Sequence, residues 1–98
     1  MRVLSEGTRL GDRYTLLRCL GRGGMAEIWL ARDQQTQSVV ALKLLIGDHA
    51  ADAAARDRLH REWRIGSRLM HAHIVRVFEF HDDPEGAYFS LQAIDGPD

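Results

Sequence analysis

Between residues 13 and 20 (RYTLLRCL) the chain is rich in strand formers, and the run stops at Gly21-Arg22-Gly23-Gly24, a strong break. Residues 26–32 (AEIWLAR) resume as a strand and 33–37 form a polar turn. Residues 38–45 (SVVALKLL) are apolar on both faces except at Lys43, with a β-branched start, and predict a further strand. The period then changes. From 51 to 70 there is no proline, and Leu59, Trp63, Ile65, Leu69 and Met70 recur at spacings of three and four, which predicts a helix with Asp48 as candidate cap. Residues 74–80 (IVRVFEF) alternate again, 82–86 form a turn whose Asp82 and Asp83 are expected in solvent, and 87–93 (AYFSLQA) make a last strand. Three strands, one helix and two strands predict an α+β domain, a five-stranded antiparallel sheet with one main helix between strands three and four. Residues 1–12 read as a loosely held lead-in to a single domain over 13–98.

Composition narrows the class. Ninety-eight residues, 45% hydrophobic and 28% charged, make one modest core. Thirteen basic and fourteen acidic residues give a net charge of −1, without the basic excess of a nucleic-acid or anionic-membrane binder. Cys19 is the only cysteine, so no intrachain disulfide forms and a cytoplasmic location is the simplest. No apolar run is long enough to span a bilayer, so no membrane contact is expected from this segment; an anchor in the parent protein would lie outside it.

Three features carry candidate chemistry. Gly21-x-Gly23-x-x-Ala26-x-Ile28 puts small residues in a hairpin between two strands, where glycine permits positive φ and lets N–H groups approach an anion. A plain tight turn is the competing reading. A dinucleotide fold is excluded, because its glycines would open a helix whereas IWLAR reads as a strand. Lys43 lies in Val40-Ala41-Leu42-Lys43, on the same side of its strand as Ala41. An edge-strand lysine would sit on a solvent face; this segment has little polar character on either face, so the ammonium needs a partner. Glu62, nineteen residues on, projects from the apolar stripe of the helix and is the candidate. Its alternative is a surface pair with Arg58, one turn earlier.

Their order resembles the protein-kinase signature, and specifically the bacterial eukaryotic-like serine/threonine kinases. The resemblance rests on Arg13-Tyr14, LGRGGMAEIWLARD from Leu20 to Asp33, VALK at 40–43, Arg61-Glu62, HAHIVRV at 71–77 and YFSLQAIDG at 88–96. It implies the N-terminal lobe of such a kinase, with ATP as cofactor. Leu20 and the loop of Gly21, Arg22, Gly23, Gly24, Met25 and Ala26 would cover the nucleotide. Lys43 would hold the α- and β-phosphates, oriented by Glu62; Ile28 and Ala41 would roof the adenine. Leu91 matches the gatekeeper, and the Gln92 carbonyl and Ile94 N–H would meet the adenine edge.

The chain departs from the pattern at Ala26, at Ala72-His73 and at Gly66, where a mid-helix glycine costs about 1 kcal/mol against alanine and leaves an apolar spine thin. Filling position 66 with alanine or leucine is therefore expected to stabilise the lobe when it is joined to its C-terminal partner. His71-x-His73 lacks a ligand set for zinc, Trp29 and Trp63 are expected to pack, and no metal site is expected here. No H-R-D or D-F-G occurs in the 98 residues, so the lobe reads as truncated at the hinge, with Mg2+ and the protein substrate held by an absent second lobe. Alone it is expected to be inactive and to self-associate through the exposed lobe interface. The alternatives are a free-standing pseudokinase-like nucleotide-binding or interaction module, and the small-molecule phosphotransferases that share this lobe.

Overall fold

In the computed structural model, the described residues are 4–68 and 76–93. Leu69, Met70, His71, His73 and Ile94 lie outside them. The strands are β1 (Arg9–Leu10), β2 (Tyr14–Arg22), β3 (Ala26–Asp33), β4 (Ser38–Leu45), β5 (Val77–Asp83) and β6 (Gly86–Gln92), and helix α1 (Ala53–Arg68) lies between β4 and β5. They form one antiparallel sheet in the order β1-β2-β3-β4-β6-β5.

The sheet has six strands where the sequence predicts five. Gly11 and Asp12 adopt left-handed φ of 57° and 56°, reversing the lead-in so that Arg9–Leu10 pairs with β2 and Leu10 is buried. The hairpin turn between β5 and β6 is also tighter than predicted. Asp82 and Asp83 belong to β5; Asp82 is solvent-exposed, as expected, and also pairs with Arg56.

Helix α1 starts later than the sequence predicts. A 3-10 turn, Gly47–Ala51, contains the expected cap Asp48, and the capping contact comes from Asp52, whose Oδ2 accepts the Ala55 N–H at 3.3 Å. Arg56 fastens the helix to its surroundings: its guanidinium donates to the carbonyls of Ala50 (3.1 Å), Asp83 (2.8 Å) and Pro84 (3.1 Å).

Alternation along β4 divides the apolar residues between two cores. Val40, Leu42 and Leu44 join Leu10, Tyr14, Leu16, Trp29, Ala31 and Tyr88 on one face of the sheet. Leu45 joins Ala50, Ala55, Leu59, Ala87 and Phe89 on the other, beneath α1, with Trp63 and Val77 packed against them. Both tryptophans pack, as expected. Ile65 does not join the stripe: two residues past Trp63 is about 200° round the helix, and Ile65 is 54% exposed.

Gly66 also differs from expectation. A Cβ there would lie 3.1 Å from Val77 Cγ1, so Val77 already fills the space the sequence leaves thin.

At the outer end of the sheet Arg13 clamps two carboxylates, Asp33 Oδ2 at 2.9 Å and Glu79 Oε1 at 2.8 Å. The guanidinium holds the buried Asp33 carboxyl down at about 2 and also lowers Glu79, while the two carboxylates raise Arg13 in turn. Tyr14 Oη lies 2.9 Å from His81 Nε2, and burial lowers the His81 pKa.

Candidate functional site

β4 lies between β3 and β6, with Lys43 opposite Ile28 on one side and Phe89 on the other. Lys43 is therefore on an interior strand, which disposes of the edge-guard reading. Because Leu42 and Leu44 point into the far core, Lys43 and Leu45 face the helix side. There Lys43 Nζ donates to Glu62 Oε2 at 2.7 Å, with the two side chains 28% and 50% exposed. A pair this open to water contributes about 0–1 kcal/mol, too little to explain a charged residue on an interior strand by stability alone. Arg58 is left out of the pair; its Nη1 donates to the Met25 Sδ at 3.1 Å.

Above Lys43 runs the glycine hairpin. A register shift in β2 between Cys19 and Gly21 leads into it, and the Gly23 N–H donates to the Ala26 carbonyl at 2.9 Å. The Met25 carbonyl accepts the Ile46 N–H at 3.0 Å, tying the tip to the end of β4. The expected use of positive φ is not found. The described glycines with positive φ are Gly7, Gly11, Gly47 and Gly86, none of them in this loop. Nor does crowding within the chain demand glycine: a Cβ on Gly21 or Gly24 would meet nothing within 4 Å, and one on Gly23 only the Ala26 oxygen at 3.5 Å. The loop is bare where the fold itself would accept side chains, which leaves its backbone open to an outside group.

Loop, strand and helix enclose a cleft of about 430 Å³, within the size range of small-molecule sites. Of the residues singled out from sequence, Gly21, Arg22, Gly23, Gly24, Met25, Ala26, Ile28, Lys43 and Glu62 line it together. Leu20, Ala41, Leu91 and Gln92 do not. Leu20 is 41% exposed, and Ala41 pairs with Leu91, two residues along β4 from Lys43, next to the Val40–Gln92 pair. Leu45, Ala55, Arg58 and Leu59 line the cleft without having been named as site residues. Their signal was periodicity: Leu45 is two residues past Lys43, and Leu59, Arg58 and Ala55 precede Glu62 by three, four and seven. Among the described residues no three His, Cys, Asp or Glu side chains cluster as a metal site requires.

Comparison with known proteins gives a consistent picture. The family described as "Protein kinase domain" matches residues 14–98. The serine/threonine-protein kinase PknD of Chlamydia trachomatis serovar D is 39% identical over 85 residues, 87% of this chain and 9% of PknD. The serine/threonine-protein kinase PknE of Mycobacterium tuberculosis is 37% identical over 93 residues, 95% of this chain and 16% of PknE. The chain therefore spans a small part of the length of these curated relatives. Among solved structures, the Mycobacterium tuberculosis PknI kinase domain, in a cysteine-to-alanine mutant form, superposes with a TM-score of 0.75 at 30% identity, covering 97% of this chain and 38% of that one. The apo form of PpkA-294 shares the fold, with a TM-score of 0.77 at 20% identity over 96% of this chain and 40% of that one.

Proposed function

The chain belongs to the protein-kinase family, and from that premise we propose that it is the ATP-binding lobe of a serine/threonine kinase that transfers the γ-phosphate to protein side chains. The observation that carries this reading is the placement of the Lys43–Glu62 pair, 2.7 Å across, on the wall of a cleft covered by a loop whose glycines the fold does not itself need. The absence of side chains at Gly21, Gly23 and Gly24 lets phosphate oxygens approach the loop backbone closely. Lys43 supplies a positive charge to the α- and β-phosphates. Glu62 holds that ammonium in place, and fixing charge before the reaction is the larger part of phosphoryl-transfer catalysis.

In this reading Ile28 and Ala41 cover the adenine, Leu20 contacts the nucleotide, Leu91 is the gatekeeper, and the backbone of Gln92 and Ile94 meets the base edge. ATP chemistry in the family uses magnesium to offset phosphate charge. With no three-ligand cluster among the described residues and Glu62 engaged by Lys43, its ligands are assigned outside them. The protein substrate is assigned there too. No helix among the described residues is long and apolar enough to cross a membrane; a cytoplasmic setting, where ATP is supplied, is the matching proposal. Self-association of the isolated chain through the surface that would face the second lobe belongs to the same reading, and sedimentation at rising concentration tests it.

The test of function is transfer of label from γ-labelled ATP to a generic protein acceptor. The protein at its natural length transfers label, Lys43→Met abolishes transfer, and the 98 residues alone, which contain no H-R-D or D-F-G, transfer none. Transfer by the 98 residues alone that is lost in Lys43→Met would overturn this account. Nucleotide binding without transfer at natural length would identify a non-catalytic binding module instead.

A further inference from the structure

We propose that Arg58 is a second phosphate-binding cation of this cleft, engaging the terminal phosphate of a nucleoside triphosphate and so setting a preference for ATP over ADP. The inference rests on the nucleotide reading of the cleft. Three cations line that cleft: Arg22, Lys43 and Arg58. Two have carboxylates, Arg22 with Glu27 at 3.5 Å and Lys43 with Glu62 at 2.7 Å. Arg58 has none within ion-pair distance among the described residues, and its hydrogen bond goes to the Met25 thioether, a weak acceptor. A guanidinium with five donors is thus held at a cleft wall with nothing anionic to receive them. A phosphate oxygen in place of the thioether sulfur would make a charge-assisted bond, the stronger kind.

Position selects the terminal phosphate. Leu45 is two residues past Lys43, about 6.6 Å along the strand. It pairs with Ala26, next to the loop tip Met25. Arg58 is four residues before Glu62, about 6 Å along the helix. Both steps lead from the Lys43–Glu62 pair to Met25, which Arg58 touches. If Lys43 serves the inner phosphates, Arg58 stands one step further out, under the tip of the glycine loop. The exposed guanidinium reaches this point without rearrangement of the helix.

The experiment is calorimetric titration of the protein at its natural length with a β,γ-non-hydrolysable ATP analogue and with ADP. Arg58→Gln weakens the analogue about tenfold and ADP less than about twofold, because only the triphosphate reaches Arg58. Arg58→Lys, keeping the charge without the fork, retains part of the preference. A purely structural role for Arg58 would move both affinities together. Equal weakening of both nucleotides, or of neither, overturns the assignment. If Lys43→Met removes binding of both while Arg58→Gln leaves their ratio unchanged, the cleft reading stands and Arg58 falls. No binding of either nucleotide by the unaltered protein overturns both.

Discussion

Lys43 Nζ sits 2.7 Å from Glu62 Oε2, joining an interior strand of the sheet to the third turn of the only helix longer than a 3-10 turn among the described residues. The link fixes the helix against the sheet at the point where the cleft opens, and it does so in partial contact with water. Its value lies in where it places charge more than in how much it stabilises the fold.

Lys43→Met therefore separates function from folding. It is expected to remove nucleotide binding while changing unfolding free energy by no more than about 1 kcal/mol. Thermal melts of the two proteins beside a binding titration check this. A collapse of the melting temperature together with binding would give the pair a structural role.

Position 66 distinguishes an empty site from a filled one. Leucine there must displace Val77, whose Cγ1 would stand 3.1 Å from the new Cβ, and is expected to cost about 1–3 kcal/mol. Alanine gains about 1 kcal/mol in helix propensity but meets the same methyl, so its net effect is expected within about 0.5 kcal/mol of zero. Chemical denaturation of both variants decides it, and stabilisation by leucine would show that Val77 yields freely.

Arg56 is expected to be the most costly helix arginine to remove. Its guanidinium donates to three backbone carbonyls across the 3-10 turn and the β5–β6 hairpin, and its side chain is 22% exposed. Arg56→Ala leaves those acceptors without their donor, a loss of about 2 kcal/mol. Hydrogen exchange then shows faster opening at the amides of Glu85 and Gly86 than at β3, whereas uniform acceleration would argue against a local staple.

Acid should weaken the fold through Asp33. Its carboxyl titrates at about 2 in the folded chain, held down by Arg13 and the Gln35 N–H, against an unfolded value near 3.8. The unfolded state binds the proton first, so the stabilisation is complete above the unfolded value and is lost as pH falls through about 2. It amounts to roughly 2 kcal/mol, since the side chain is 4% exposed. His81, lowered by burial, acts in the same direction at higher pH, from the ordinary histidine range downward. Denaturant unfolding between pH 7 and pH 2, repeated with Asp33→Asn, isolates the first contribution; an unchanged acid limb in that variant would refute it.

Much of this architecture was legible in the residues themselves. The change from strand patterning in 38–45 to helical spacing after 51 marked the helix, and a lysine in an apolar strand with a glutamate on the helix nineteen residues away marked the site, although Glu62 proves half exposed and not buried. These are local periodicities, and the chain declares them wherever one face must be buried. Relations between distant segments were not so declared. The pairing of Arg9–Leu10 with β2, Asp52 in place of Asp48 at the helix start, and Val77 in the space beside Gly66 all depend on how segments meet. So does the choice of Glu62 between two cations, Arg58 on its own helix and Lys43 on a strand. Helical spacing permits the first, and only packing of α1 on the sheet brings the second to 2.7 Å, leaving Arg58 to the loop. Sequence sets which faces are buried because burial follows side-chain period; partner choice waits on the tertiary fold because distance along the chain does not determine distance in space.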